Sequence, residues 1–157
     1  NVNYWKRDGY YASSKCLNSD FWKHIAETTD CDHLMFTNST NPLVKLETYN
    51  SIIKKYNHMK SPYDSLNTVS DEKHFLYLKG KPINFDPKVA PNSQNLPEIV
   101  KLNFAVNIIS KKLMFNKKSV IGDTPLFHKL DEIEGVDIDT KLDFDFAEFL
   151  HKQYFKQ

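Results

Sequence analysis

The chain has 157 residues, of which 40% are hydrophobic and 26% are charged, a balance that excludes a disordered chain and favours one globular domain over residues 1–157. Its 21 basic and 20 acidic residues leave a formal net charge of +1, so electrostatics gives no reason to expect nucleic acid or an anionic membrane as a partner. No apolar run approaches the ~18 residues needed to span a bilayer.

The two cysteines, Cys16 and Cys31, form neither a C-x-x-C motif nor a zinc-ligand pattern. The chain also opens without a signal-peptide pattern. We therefore predict reduced thiols in a cytoplasmic protein.

Hydrophobic periodicity predicts strands that alternate with helices along the chain. The predicted strands cover residues 2–7, 33–36, 65–70, 104–109, 120–121, 126–130 and 133–138. The predicted helices cover about residues 20–28, 45–57 and 110–116, and a last helix begins near residue 140. Residues 74–85 read as a hairpin-like excursion, and the segment rich in proline and asparagine at 86–97 reads as a loop.

The last helix has the clearest sequence signals. Thr140 and Asp143 resemble a capping box with Asp in place of Glu. Asp143 and Asp145 fall in the first turn, where the helix dipole favours negative charge. Stabilisation of the helix is the favoured interpretation of Asp145. Asp143 is also a weak candidate for a residue that contacts the ligands of a metal site. The predicted apolar face consists of Leu142, Phe146, Phe149, Leu150 and Tyr154.

The alternation of strands and helices predicts an α/β domain with three layers, in which a mostly parallel sheet carries helices on both faces. In such sheets, ligands bind beyond the carboxyl ends of the strands. The loop at 37–42 and the aspartates that end the predicted strand at 133–138 both fall at such ends.

Asp137 and Asp139 are two residues apart, which would place both carboxylates on one face of an extended strand. Their Cα atoms would then lie roughly 6.5–7 Å apart, close enough for both to bind one hard cation. Mg²⁺ sites for phosphate chemistry use one or two carboxylates together with water and the substrate's phosphates. The alternative is that both are solvated turn carboxylates, as in most D-x-D sequences.

Four blocks of sequence, in matching order and at similar spacing, resemble a known family. Val136-Asp137-Ile138-Asp139-Thr140, followed by Asp143-Phe144 and Ala147-Glu148, is similar to a terminal V/I-D-I-D-T-x-x-D-F/L-x-x-A-E signature. In a second block, Ser93–Pro97 is similar to R-Q-x-L-P and Asn103–Ile108 to the N-G-A-x-Y-I that follows it. In a third, Asn38–Leu43 is similar to Q-P-T-S-P-L. In the fourth, Arg7 and Ala12 match the first and last residues of R-P-x-x-L-A. On these blocks the chain resembles the acylneuraminate cytidylyltransferases, the CMP-sialic acid synthetases.

The resemblance implies a nucleotide-diphospho-sugar transferase-like fold and a Mg²⁺-dependent reaction. CTP and an acidic nine-carbon sugar would give the CMP-sugar and pyrophosphate. It also implies a homodimer, with the excursion at 74–85 as the dimerisation element, although a plain surface hairpin fits that segment equally well.

Residue by residue, the resemblance makes Asp137 and Asp139 the catalytic metal ligands. It assigns Arg7 to the cytidine side and Asn38, with Thr40 in the same block, to the sugar side. The remaining substrate-binding candidates are Gln94, which matches the Gln of R-Q-x-L-P, and Asn107, which stands at the family's Tyr.

The chain departs from the family pattern in two ways. A glycine-rich, basic phosphate loop of P-A-R-G-G-S-K-G type is absent, which leads us to expect a fragment without the first strand, loop and helix, or a chain that binds CTP differently. Ser93 replaces an Arg, and Asn38 and Asn107 replace a Gln and a Tyr. Sialic, legionaminic and pseudaminic acids therefore all remain candidate substrates.

Two further function classes remain open. A nucleotide-sugar glycosyltransferase could use Asp137 and Asp139 as its metal motif, although such motifs usually lie in mid-domain. The missing phosphate loop instead favours a non-catalytic module that binds a sugar acid or a partner subunit.

Overall fold

The structure is a computed structural model that describes residue 2 and residues 4–155. The helices are α1 (Asn18–Thr28), α2 (Leu46–Asn57), α3 (Lys111–Lys117) and α4 (Lys141–Tyr154). The strands are β1 (His33–Thr37), β2 (Ser65–Glu72), β3 (Tyr77–Leu78), β4 (Lys81–Pro82), β5 (Ile99–Ser110) and β6 (Pro125–Lys129). No helix in this part of the chain is long and apolar enough to cross a membrane.

A four-stranded sheet in the order β1-β5-β2-β6 forms the centre of the domain. Strands β1, β2 and β6 share one direction, whereas β5 pairs antiparallel with both of its neighbours. The sheet is therefore mixed, with three of four strands running the same way. The predicted α/β fold with a mostly parallel sheet is confirmed, and β5 is the strand that departs from it.

Helices cover both faces of this sheet. Neighbouring residues of β5 point to opposite faces, so each face contributes to its own core cluster. Ile108 clusters with Ile52 of α2 and Leu66 of β2 on one face. Ile109 clusters with Ala26 of α1 and Met114 of α3 on the other face. The predicted three-layer arrangement is confirmed.

Strand β5 contains a large bulge opposite Thr68. The pairing with β2 passes from Asn67↔Asn107 to Val69↔Leu102, so residues 103–106 of β5 face a single residue of β2. Phe104 in this bulge has a φ of 55°. That left-handed conformation costs a residue with a Cβ roughly 1–2 kcal/mol, so the surrounding contacts must hold it in place.

The last helix begins as the sequence predicts. The Thr140 hydroxyl accepts a hydrogen bond from the backbone N–H of Asp143, while the Asp143 carboxylate accepts one from the N–H of Thr140 at 2.7 Å. This reciprocal pair is a capping box, which satisfies N–H groups that have no partner within the helix.

The predicted apolar face of α4 is only partly buried. Ala147 and Leu150 pack with Leu43 of the loop after β1 and with the segment that carries the aspartates. The other four predicted face residues, Leu142, Phe146, Phe149 and Tyr154, are at least half exposed.

Three predicted strands are wrong. Residues 120–121 form a bend and residues 133–138 a turn followed by irregular chain. The segment at 2–7 is irregular wherever it is described, and Asn3 lies outside the described residues. The predicted strand at 33–36 exists, but it is the edge strand β1, and Met35 is 45% exposed.

The predicted hairpin at 74–85 is confirmed as strands β3 and β4. Its turn residues Lys79 and Gly80 both have positive φ, the conformation of a type I′ turn. The Asn84 side chain closes the hairpin's base, because it accepts from Leu76 N at 2.8 Å and donates to His74 O at 2.8 Å.

We expect Thr140→Ala to destabilise the protein by about 1 kcal/mol, because the substitution removes the side-chain cap of α4. For a domain of this size, the melting temperature should fall by about 2–4 °C in thermal denaturation followed by circular dichroism. Thr140→Ser keeps the hydroxyl and is the matched control. Equal melting temperatures for the Ala and Ser variants would contradict a capping role.

Candidate functional site

Asp137 and Asp139 line one cavity of about 500 Å³ next to the sheet. Ser70 of β2 and Asn103 in the β5 bulge line the same cavity. The two aspartates are not on a strand, so the geometry that suggested their pairing is wrong. The irregular chain nevertheless presents both of them to the same cavity, which we call the aspartate cavity.

One oxygen of Asp137 has no hydrogen-bond partner. Its Oδ1 atom is buried, and no protein donor reaches it. A buried carboxylate oxygen without a partner is costly, and a cation would satisfy it. The residues present therefore fit a hard divalent ion such as Mg²⁺, whose usual ligands are carboxylate oxygens.

The protein offers that ion few ligands. Within the described ranges, no group of three or more His, Cys, Asp or Glu side chains is arranged to hold a metal. Mg²⁺ commonly binds through one or two carboxylates and takes its other oxygens from water and substrate phosphates. Asp137 and Asp139 match that partial donor set.

Asp143 lines the aspartate cavity but is engaged in capping α4. Hydrogen bonds from the hydroxyl and the N–H of Thr140, and another from Asp139 N, lower the pKa of the Asp143 carboxyl below its usual 3.8. Its capping contribution is thus complete above that usual pKa and is lost as pH falls through the lowered one. Asp145 pairs with Lys141 on the helix surface, in keeping with a helix-stabilising role.

The loop after β1 fixes the position of the aspartates. Thr40 O accepts a hydrogen bond from Ile138 N at 2.9 Å, and the Asn41 side chain donates to Val136 O at 3.2 Å. These bonds hold the backbone on both sides of Asp137. Thr40 is predicted to bind substrate, and in this structure its backbone carbonyl accepts one of these two hydrogen bonds.

A second anchor, Glu134, was not predicted from the sequence. Glu134 is buried, and its Oε1 atom accepts from Thr48 at 3.0 Å and from Lys45 at 3.2 Å. The hydrogen bond that Lys45 donates to Glu134 is the largest influence that raises the pKa of Lys45. The contacts tie the turn before the aspartates to α2, and only the fold brings these distant residues together.

Arg7 and Asn38 line a different cavity of about 640 Å³ between α1 and the sheet. Lys118 and Ser119, which follow α3, form another part of its wall. Five of its lining residues are aromatic: Tyr11, Phe21, Trp22, Phe36 and Phe104. Among the described residues, no Asp or Glu side chain lines this cavity, which we call the aromatic cleft.

The two remaining candidates line neither cavity. Gln94 is exposed in a short 3₁₀ turn, Ser93–Asn95. Asn107 is fully buried; its Oδ1 atom accepts from Asn67 at 2.8 Å and its amide donates to Phe104 O at 3.0 Å. Asn107 presents no free surface to a ligand in this structure, and substrate contact by either residue remains a prediction.

The structure therefore divides the predicted site between two cavities. Arg7 and Asn38 belong to the aromatic cleft, while Asp137 and Asp139 belong to the aspartate cavity. The loop after β1 joins them, because Asn38 lines the cleft and Thr40 bonds to the aspartate segment.

Comparison with known proteins gives one sequence relative and a structural likeness. No family model matches the chain. The chain is 30% identical over 94 residues to "Post-translational flagellin modification protein B" of Campylobacter coli, which covers 60% of the chain and 37% of the relative's length. It superposes on 4-diphosphocytidyl-2C-methyl-D-erythritol synthase of Anaerococcus prevotii with a TM-score of 0.63 and 10% identity, over 88% of this chain and 68% of that one.

These findings settle the fold. The structural likeness shows that the chain shares the α/β fold of that synthase, as the resemblance of its sequence implies. An identity of 10% supports no statement about activity, because one fold serves many functions.

We expect Gly135→Ala to destabilise the protein by about 1–3 kcal/mol, because the position is already closely packed. A Cβ atom there would lie 2.6 Å from Ser70 Oγ and 3.0 Å from Asp131 O. Ser70 Oγ is itself held by Asn103 Nδ2 at 2.9 Å and cannot move freely. The free energy of unfolding from urea denaturation measures the effect.

Gly9→Ala is the matched control, since a Cβ atom at Gly9 meets nothing within 4 Å. If both glycine variants changed the free energy of unfolding equally, close packing at Gly135 would not be the reason for its glycine.

Proposed function

We propose that the protein is a Mg²⁺-dependent cytidylyltransferase that activates an acidic nine-carbon sugar of the sialic, legionaminic or pseudaminic acid type with CTP. The observation that carries this proposal is the buried, unpartnered oxygen of Asp137, which shares its cavity with Asp139. The nucleotidyltransferase fold and the match of both aspartates to a cytidylyltransferase signature support it.

In the proposed reaction, the anomeric hydroxyl of the sugar attacks the α-phosphorus of CTP. A new phosphorus–oxygen bond forms and the hydroxyl proton passes to solvent. The bond from the α-phosphorus to the oxygen that bridges the β-phosphate breaks, and pyrophosphate leaves with the electron pair of that bond. Asp137 and Asp139 would hold Mg²⁺, which supplies charge neutralisation on the triphosphate when bound. Catalysis in such transfers depends chiefly on positioning and electrostatic stabilisation.

The aromatic cleft supplies binding groups of the right kind for these substrates. Arg7 offers a guanidinium for an anionic group, while Asn38 offers an amide that can bond to hydroxyl groups. The loop after β1 links this cleft to the aspartates, so a substrate bound in the cleft lies next to the segment that would hold the metal.

The sequence relative suggests a biological setting. Its name describes a protein of flagellin modification, and we propose that this chain supplies an activated sugar for modification of flagellin or a similar protein. Because the matched region spans 37% of that relative, we assign the proposed activity to the whole protein. We place that protein in the cytoplasm.

We expect the full-length protein to release pyrophosphate from CTP only when Mg²⁺ and an acidic nine-carbon sugar are both present. Asp137→Asn and Asp139→Asn should each lower kcat/KM by about 10²-fold or more, because each removes a charge that would hold the metal. Mn²⁺ titration followed by electron paramagnetic resonance should show weaker binding in both variants.

Asp145→Asn is the matched control, since Asp145 lies in the same acidic segment but pairs with Lys141 outside the cavity. Loss of activity in that control to the same extent would refute the assignment of the metal ligands. No pyrophosphate release with any of the three sugar acids would refute the function. Hydrolysis of a UDP-sugar with Mn²⁺ would instead favour a glycosyltransferase, and tight sugar binding without chemistry would favour a binding module.

We also propose that the hairpin β3–β4 mediates a homodimer. Tyr77, Leu78 and Ile83 are each more than half exposed, on or directly after a short two-stranded ribbon that forms a sheet of its own. Apolar side chains exposed together on a projecting element are typical of an interface.

Light scattering after gel filtration should give the mass of a dimer for the native protein and of a monomer for Leu78→Asp, because burying an unpaired carboxylate is costly. Val89→Asp places the same charge on an exposed residue outside the hairpin and should leave the mass unchanged. A native monomer, or a Leu78→Asp dimer, would contradict the proposal.

A further inference from the structure

The aromatic cleft contains two residues in backbone conformations that their side chains disfavour. Across the described residues, three non-glycine residues have a positive φ, namely Lys79, Phe104 and Lys118. Phe104 and Lys118 both line the aromatic cleft. Backbone conformations of this kind persist where surrounding structure enforces them, and they concentrate at ligand sites.

Phe104 is the more unusual of the two. Lys118 directly follows α3, a position where the left-handed conformation is common because it ends the helix. Phe104 lies instead in the middle of β5, at a φ of 55° that glycine adopts readily and a bulky aromatic residue rarely does.

A set of buried hydrogen bonds holds Phe104 in this conformation. The Thr68 hydroxyl fills the bulge, because it accepts from Val106 N at 2.9 Å and lies 2.7 Å from Asn103 Oδ1. The Asn107 amide donates to Phe104 O at 3.0 Å. The bulge is thus stabilised from both sides by side chains that are inaccessible to solvent.

A bulge redirects the side chain that it carries. Here it places Phe104 in the lining of the aromatic cleft, together with Trp22 and Phe36. The ring also packs against the cluster around Ile109 and Met114, so it completes the boundary between the core and the cavity.

The cleft as a whole combines flat apolar walls with positive charge. Besides its five aromatic residues it contains Arg7 and Lys118, and the described lining has no acidic side chain. The Arg7 guanidinium lies 5.3 Å from the centroid of the Phe21 ring. Such a cavity suits an anion that also carries a flat or apolar group, and its volume of about 640 Å³ lies within the usual range for ligand sites.

We infer that Phe104 contacts the ligand of the aromatic cleft, an anion that carries a flat or apolar group, and that it contributes to the selection of that ligand. The ring packs on the flat or apolar group, while Arg7 and Lys118 attract the charge. The inference rests on the proposed function in its choice of probes, since a cytidine nucleotide and an N-acyl sugar acid both have this chemistry.

Trp22 provides a direct readout because it lines the cleft, and Trp5 is the other tryptophan of the chain. In a Trp5→Phe background, fluorescence of Trp22 can be titrated with cytidine monophosphate, with N-acetylneuraminate, and with inorganic phosphate as an anion that has no apolar part. We expect at least one of the first two to bind more tightly than phosphate.

Phe104→Gly should weaken the binding of that probe by about tenfold, the size of effect expected when an aromatic stacking partner is lost. The binding of phosphate should change little. Phe104→Tyr keeps the ring and should stay within about threefold of the parent. Thermal denaturation checks that the glycine variant is folded, which we expect because glycine suits the observed φ.

Three results would overturn the inference: binding of neither organic probe, unchanged binding in Phe104→Gly, or an equal loss for phosphate and the organic probe. The outcome is separable from that of the proposed function. If probe binding depends on Phe104 but the protein releases no pyrophosphate, the inference is supported and the proposed function is refuted. If the protein releases pyrophosphate and Phe104→Gly leaves kcat/KM unchanged, the proposed function is supported and the inference is refuted.

Discussion

The structure depends on a line of buried side-chain amides and hydroxyls between β2 and β5. Asn67 donates to Asn107 Oδ1 at 2.8 Å and to Val120 O at 3.0 Å, and Thr68 occupies the bulge opposite Phe104. Polar groups without access to water must all find partners, so the position of each one constrains the next. This line fixes the irregular path of β5, and both cavities border it.

The same polar line connects the two cavities structurally. At one end, Asn107 holds the carbonyl of Phe104, a residue that lines the aromatic cleft. At the other end, Asn103 donates to Ser70 Oγ at 2.9 Å, and Ser70 sets how closely Gly135 approaches the sheet. A change in the polar line is therefore expected to move a wall of each cavity, whereas a change in the flanking helices would act on one face alone.

The sequence was sufficient where short-range signals determine the structure. The helix α2, the capping box at Thr140 and the hairpin at 74–85 all depend on residues within a few positions of one another, and all three were predicted. The strand predicted at 133–138 failed because its alternation of apolar and acidic residues arises from packing of Val136 and Ile138 under α4 rather than from a sheet. The bulge at Phe104 and the anchor at Glu134 depend on partners tens of residues away, so no local pattern could reveal them.

Asp137 and Asp139 share a cavity although the strand geometry that suggested their pairing is wrong. A strand would have fixed Asp137 and Asp139 by backbone pairing. The structure instead holds the segment through one hydrogen bond that Thr40 O accepts, one that the Asn41 side chain donates, and the cap of α4. An irregular segment held at separate points can adjust by small rotations, which suits a site whose remaining metal ligands would be supplied by the substrate. In the proposed metal site, the buried, unpartnered oxygen of Asp137 would have a physical reason, because the cost of leaving it unsatisfied would favour the bound state over the free one.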